Sequence, residues 1–312
     1  MIVSASYKTD IPAFYSQWFL GRLNAGFCKM TNPYSGATKR VSLLPKDVDG
    51  IVFWTKNIGP MLSSLGVVSE MGHHFVTQYT ITGYPRELEL AVINADRSIE
   101  HVKFLSGRWG RRCVIWRYDP ILITSLTGEE WHLANFTRLA RQLSGVVDEV
   151  VVSFAHFYKK TLINLRSSAA SAGFEFLDPE DSSKVYLIEK FAEVAQREGI
   201  SLTVCSQPHL VPPNATNASC VDAKRISDVR GERVHSQTRG NRPGCECAQS
   251  VDIGEYDTCP HGCVYCYAVK HRDVAKRRYQ NHDKLSEFLS LTGRMDAFAK
   301  TKGSQLGLFE LD

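Results

Sequence analysis

No run of apolar residues in this 312-residue sequence approaches the roughly 20 needed to cross a bilayer as a helix. The opening stretch MIVSASYKTDIPAFY lacks a basic segment followed by a long apolar one. No secretory signal is therefore expected, no membrane partner is expected, and the cytoplasm is the expected compartment. An excess of charge of one sign is also missing: 37 Lys and Arg stand against 33 Asp and Glu, for a net charge of +4. The resulting pI of about 8.5 falls short of the strongly basic footprint of a dedicated nucleic-acid binder. With 43% hydrophobic residues, so weak a charge excludes disorder as the main state. Ser6 to Pro12, after the first apolar run, contains no glycine. That absence removes the main reason to expect a dinucleotide-binding sheet.

What the sequence does contain is a regular alternation. Short β-branched or apolar runs at Ile2 to Tyr7, Ile51 to Trp54, Phe75 to Thr82, Val114 to Tyr118, Glu149 to Phe154 and Ser201 to Cys205 predict strands. Between them, helical spacing begins near Pro60 and runs over Glu87 to Phe104, Glu129 to Leu143 and Val185 to Glu198. Gly199 stands where a helix C-terminal cap belongs. Strand and helix in turn predict parallel βα units. The expected fold is α/β: a partial (βα)6 TIM-like barrel over residues 1–210, then a C-terminal cysteine-rich segment over residues 211–312. In that segment Pro, Asn and Gly break up long helices, Lys224 to Arg242 is expected to be irregular, and Lys284 to Phe298 is expected to be helical. Several predicted strand ends carry polar residues that a packed core does not need, among them Lys56, Arg117 and Ser153. In a barrel of this type such ends line the active site.

Nine cysteines need an explanation: Cys28, Cys113, Cys205, Cys220, Cys245, Cys247, Cys259, Cys263 and Cys266. An odd number in a long chain without a secretory signal argues against a disulfide framework. Cys28 and Cys113 sit alone in apolar surroundings and read as buried structural thiols. Five of the nine crowd between Cys245 and Cys266. In Cys259-Pro-His-Gly-Cys263-Val-Tyr-Cys266, three thiolates can converge from one tight loop, with Gly262 free to take positive φ at the turn. Soft thiolates suit zinc or iron–sulfur centres and are poor ligands for magnesium or calcium.

This loop resembles the signature of radical S-adenosylmethionine enzymes. The resemblance implies that Cys259, Cys263 and Cys266 hold three irons of a 4Fe–4S cluster whose fourth iron takes the amino and carboxylate groups of S-adenosylmethionine. A reducing electron donor would then drive sulfonium cleavage to methionine and a 5′-deoxyadenosyl radical. In that superfamily the loop follows the first strand; here it follows the sixth predicted one. The whole arrangement is similar to the domain-of-unknown-function 1848 family, through Trp54-Thr55-Lys56-Asn57, Arg117-Tyr118-Asp119-Pro120, Asp252-Ile253-Gly254 and Tyr265-Cys266-Tyr267-Ala268. The first two segments are also distantly similar to spore photoproduct lyase, a DNA-repair enzyme. By the radical-enzyme resemblance, Lys56, Arg117 and Ser153 become candidates for binding the cofactor's methionine and ribose.

Cys245 and Cys247 leave three readings open: a fourth cluster ligand, a second centre with Cys205 and Cys220, or reduced bystanders. A four-thiolate zinc site, purely structural, is the alternative for the cysteines as a group. Lys270, His271, Arg272, Lys276, Arg277 and Arg278 form a basic run after the loop, which makes nucleic acid a candidate partner. A solvated helix face accounts for the same run without any partner.

Overall fold

In the computed structural model, residues 1–32, 35–240 and 242–290 are described. Eight parallel strands form one sheet: β1 (Ile2–Ala5), β2 (Gly50–Thr55), β3 (Phe75–Thr80), β4 (Val114–Ile121), β5 (Glu149–Phe154), β6 (Ser201–Val204), β7 (Thr216–Asn217) and β8 (Ser250–Asp252). Their spatial order is β7-β6-β5-β4-β3-β2-β1-β8. From β1 to β7 each strand is laid beside its predecessor, so the chain winds in one direction. A doubly wound sheet reverses part-way; this one does not. β8 returns to the starting edge and pairs with β1, Ser4 opposite Asp252. Among the described residues no pairing joins β7 to β8, and the sheet is not a closed barrel.

The alternation of side chains divides the core. Val3, Ile51, Phe53, Tyr79, Trp116, Val150, Val152 and Val204 face outward against α1 (Ser16–Ala25), α2 (Ala95–Trp109), α3 (Glu129–Leu143) and α5 (Asp181–Arg197), whereas α4 (Lys159–Ala172) buries Leu165 in a smaller cluster. Trp18, Val102, Leu139 and Phe191 are among the buried residues these helices supply. The alternate residues Ile2, Val52, Val76, Ile115 and Val151 make a second apolar layer on the inner face. That layer is covered by residues 218–248, including α6 (Ala223–Arg230). Two residues further along each strand the inner face turns polar: Ser4, Trp54, Gln78, Arg117 and Ser153. The polar residues expected at strand ends thus share one rim.

Several expectations are corrected. The sheet has eight strands where six were expected, because β7 and β8, two and three residues long, come from the C-terminal segment. The helix expected from Glu87 starts at Ala95, since the Asn94 side chain caps it by accepting from Asp96 N. Residues 85–94 are freed to form a loop that meets the cysteines. Lys224 to Arg242 is not wholly irregular: α6 is capped by Asp222, which accepts from Lys224 N, and stops at Gly231 with φ +79°. Of the helix expected over Lys284 to Phe298, residues 284–290 are turns and irregular backbone, and the rest lies outside the described residues. A hairpin of Phe27–Thr31 and Thr38–Ser42 was not anticipated.

α6 is tied to the sheet by Arg225, which is only 2% exposed. Its guanidinium donates to Asp148 Oδ1 at 2.9 Å, Glu149 Oε2 at 2.6 Å and the Arg112 carbonyl at 3.2 Å. Removing one member of a buried ion pair leaves its partners uncompensated. Arg225→Ala is therefore expected to lower the unfolding free energy by about 3 kcal/mol in a denaturant titration. A loss below about 0.5 kcal/mol would show that α6 does not depend on this anchor.

Candidate metal and cofactor site

The carboxyl end of β8 lies beside that of β1, and the cysteine loop follows directly. Asp252 makes the join. Its carboxylate accepts from Ser4 Oγ at 2.8 Å, Ser6 Oγ at 2.7 Å, Tyr7 N at 3.0 Å and Gly254 N at 3.0 Å, with Lys8 Nζ at 3.4 Å. Gly254 is required by the closeness of this approach, because a Cβ there would fall 2.0 Å from Ser6 Oγ. Tyr15 OH donates to the Thr258 carbonyl at 2.7 Å, which fixes the backbone immediately before Cys259. Gly262 has φ +75°, as its place in the turn predicts.

The loop is held from two further sides. Asp10, 7% exposed, caps a short helical turn by accepting from Ala13 N at 2.9 Å. It also accepts from Thr55 Oγ1 and from Lys56 N, both at 2.7 Å, and lies 2.8 Å from His261 Nε2. His261, inside the loop, is thereby an orienting group. Opposite, residues 88–91 run along the loop: Val264 N donates to the Leu88 carbonyl at 3.1 Å and Ala91 N to the His261 carbonyl at 2.9 Å. This places Glu89, 3% exposed, against the cysteines. Glu89 accepts from Lys56 Nζ at 2.7 Å, from Thr82 Oγ1 at 2.7 Å and from Tyr265 OH. A cavity of about 270 Å³ opens beside it, lined in part by Thr80, Thr82, Tyr84 and Arg86.

The three loop thiols are electrostatic neighbours of one another, and burial dominates each. It pushes the Cys259 thiol up to about 12, with Asp10 and Cys266 adding to the effect. Cys263 is driven well above the ordinary thiol range by burial, and the Lys56 ammonium only partly opposes it. Cys266 is raised by burial too, against hydrogen bonds from the Ala268 and Val269 backbone. Backbone groups of His261 and Asp10 likewise oppose the rise at Cys259. Amides aimed at sulfur, three soft ligands on one loop and a neighbouring cation are a donor set suited to an iron–sulfur centre. Among the described residues no group of three or more His, Cys, Asp or Glu side chains already surrounds the position of a single metal ion. An iron–sulfur cube does not require that, since its cysteines bind separate irons and stand further apart than ligands of one ion.

The other candidates divide between two places. Lys56 belongs with the trio. Arg117 and Ser153 meet at Asp119, to which both donate. Arg117 NH1 also donates to Gln78 Oε1 at 3.1 Å and to Cys220 Sγ at 3.0 Å. Cys247 interacts with Cys220 and with Cys245. Cys28 and Cys113 are buried, as expected. Sequence reasoning missed Asp10 and Glu89. Asp10 had a signal in its place before Ile11-Pro12, a helix-start pattern, whereas Glu89 had none.

The Lys56–Glu89 pair supplies a test. Burial alone would raise the Glu89 pKa, but Lys56 and the hydrogen bonds outweigh it and hold the carboxyl below its ordinary 4.5. Its contribution to stability is then complete above pH 4.5 and is lost as the pH falls below that value. Lys56→Met should cost about 3 kcal/mol by stranding the carboxylate. Adding Glu89→Gln should restore most of that loss and flatten the acid limb of the stability profile. Additive losses in the double variant would show that the two side chains do not act as a pair.

No curated protein and no solved structure matches the chain. A family model described as "Domain of unknown function (DUF1848)" matches residues 2–268, a span that takes in all eight strands and the three loop cysteines. The chain belongs to that family.

Proposed function

We propose that this protein is an iron–sulfur enzyme of the radical S-adenosylmethionine type, with a nucleic-acid base as its favoured class of substrate. One observation carries the reading. The cysteine loop, late in the chain, follows the strand that stands beside β1 at the sheet's starting edge. It therefore occupies the place in space that a loop after a first strand would occupy. Cys259, Cys263 and Cys266 would hold the cluster. Bound there, a 4Fe–4S centre with one iron open to S-adenosylmethionine supplies the electron that cleaves the sulfonium and releases a 5′-deoxyadenosyl radical.

The protein's own groups have separable tasks. His261, fixed by Asp10, sets the path of the loop between Cys259 and Cys263. Tyr265, buried and bonded to Glu89, closes the side of the loop facing residues 84–89. Lys56 is a fixed cation whose field reaches Cys263 and Cys266 and is suited to a carboxylate. Arg117, Asp119 and Ser153 line the rim with donors and acceptors suited to hydroxyl groups. Lys270, His271, Arg272, Lys276 and Arg277 are exposed on and before α7 (Arg272–Gln280), next in sequence to the loop, which favours a phosphate-bearing substrate.

Anaerobic reconstitution with iron and sulfide tests this. About four irons per chain should bind to the trio, and the reduced brown protein should cleave S-adenosylmethionine. Alanine at Cys259, Cys263 or Cys266 should abolish both properties, whereas Cys28→Ala should preserve them. Equal iron loss in Cys28→Ala and the loop variants, or a colourless protein carrying only zinc, would overturn the reading.

A further inference from the structure

Four cysteines outside the loop converge from three separate parts of the chain. Cys205 directly follows β6, Cys220 follows β7, and Cys245 and Cys247 lie on the return to β8. Cys205, Cys220 and Cys247 are at most 6% exposed and pack in the inner apolar layer. Cys220 Sγ lies 3.4 Å from Cys205 Sγ. Cys220 interacts with Cys247 side chain to side chain, and Cys247 does so with Cys245. Three donors from different elements point at these sulfurs: Arg117 NH1 to Cys220 at 3.0 Å, Arg242 NH2 to Cys205 at 3.5 Å and Val221 N to Cys247 at 3.3 Å.

We infer that Cys205, Cys220, Cys245 and Cys247 form a second centre, binding a single tetrahedral metal ion of the zinc class and separate from the trio. The sulfur spacing decides the type. Zinc–sulfur bonds of about 2.3 Å place tetrahedral sulfurs about 3.8 Å apart, so the observed 3.4 Å separation needs to open by only a few tenths of an ångström. An iron–sulfur cube needs its cysteines much further apart. Charge agrees with this assignment. Four thiolates around a divalent ion leave two negative charges, and two guanidiniums are aimed at the sulfurs. Arg117, 4% exposed, is shared between Asp119 and Cys220, and Arg242 reaches Cys205, so both guanidiniums stand where they would meet that charge.

As the side chains stand, the sulfurs run 205–220–247–245 in a chain and do not yet close a cage. Cys245, half-buried on the return loop, would have to turn inward to complete the cage. The ion would pin the segment covering the inner face to the end of β6. It would also fix Arg117, and through it Asp119 and Ser153, at the rim.

The test uses the full chain with Cys259, Cys263 and Cys266 changed to Ala, so its outcome is independent of the iron–sulfur proposal. Cobalt(II) alone, titrated anaerobically into the reduced metal-free protein, should bind once per chain. It should give the intense visible bands of a tetrahedral thiolate site and be displaced by zinc. Cys220→Ser and Cys247→Ser should each weaken cobalt binding about a hundredfold or more, and Arg242→Gln about tenfold. Should the variants fail to fold, alkylation of the unsubstituted chain gives the same answer: zinc should protect the four peptides containing Cys205, Cys220, Cys245 and Cys247. Absence of tetrahedral cobalt bands, no zinc protection of those peptides, or cobalt binding unchanged in both Cys220→Ser and Cys247→Ser would overturn the inference.

Discussion

The structure depends on one short pairing, Ser250–Asp252 alongside Ile2–Ser4. Three residues are too few to hold a strand by backbone bonds alone, so the join rests on the Asp252 carboxylate. It collects two hydroxyl donors, two backbone amides and the Lys8 ammonium from the start and end of the chain. A carboxylate 7% exposed is tolerable only with such a set of partners. Those partners exist only when the C-terminal segment has returned to the first strand. The cysteine loop is therefore delivered to the rim by a polar condition that the observed register satisfies.

The same logic extends along the rim. Asp10 with His261, Lys56 with Glu89, and Arg117 with Asp119 are all buried or nearly so. Pairs of this kind contribute little net stability, because desolvation offsets most of the attraction. Their effect is positional. The first two join the end of β2, through Thr55 and Lys56, to the cysteine loop and to residues 88–91. Arg117 and Asp119 both lie on β4, and Arg117 reaches on to Cys220. An apolar rim of equal stability would leave those loops free to slide.

What the sequence reveals and what it hides follow from range. β2 to β6 are legible because five or so β-branched or apolar residues in a row form a local signal, and α3 is legible from its 3.6-residue spacing. The trio is legible because its spacing is itself local. β7 and β8 are too short for any periodicity to register. Glu89 is hidden in a stretch whose apolar spacing imitates a helix, and only the Asn94 cap shows where the helix starts. The Asp252-Ile253-Gly254 segment stands out in the sequence, but its task cannot be read there, because every partner of Asp252 except Gly254 lies about 250 residues away. A grouping of Cys205 and Cys220 with Cys245 and Cys247 stayed one of three readings for the same reason.

A singly wound parallel sheet separates a loop's rank in sequence from its place in the site. All the strands present their carboxyl ends at one rim, so a loop's surroundings depend on the slot its strand fills. β8 is last in sequence, yet it fills the slot beside β1. β7, at the far edge, precedes it by one connection. That connection packs on the inner face, carries Cys220, Cys245 and Cys247, and ends at the strand that delivers the trio. Packing of Ala218, Cys220, Val221, Ile226 and Cys247 against the inner face shortens the path by which β8 must find β1, and the chain entropy of that closure falls accordingly.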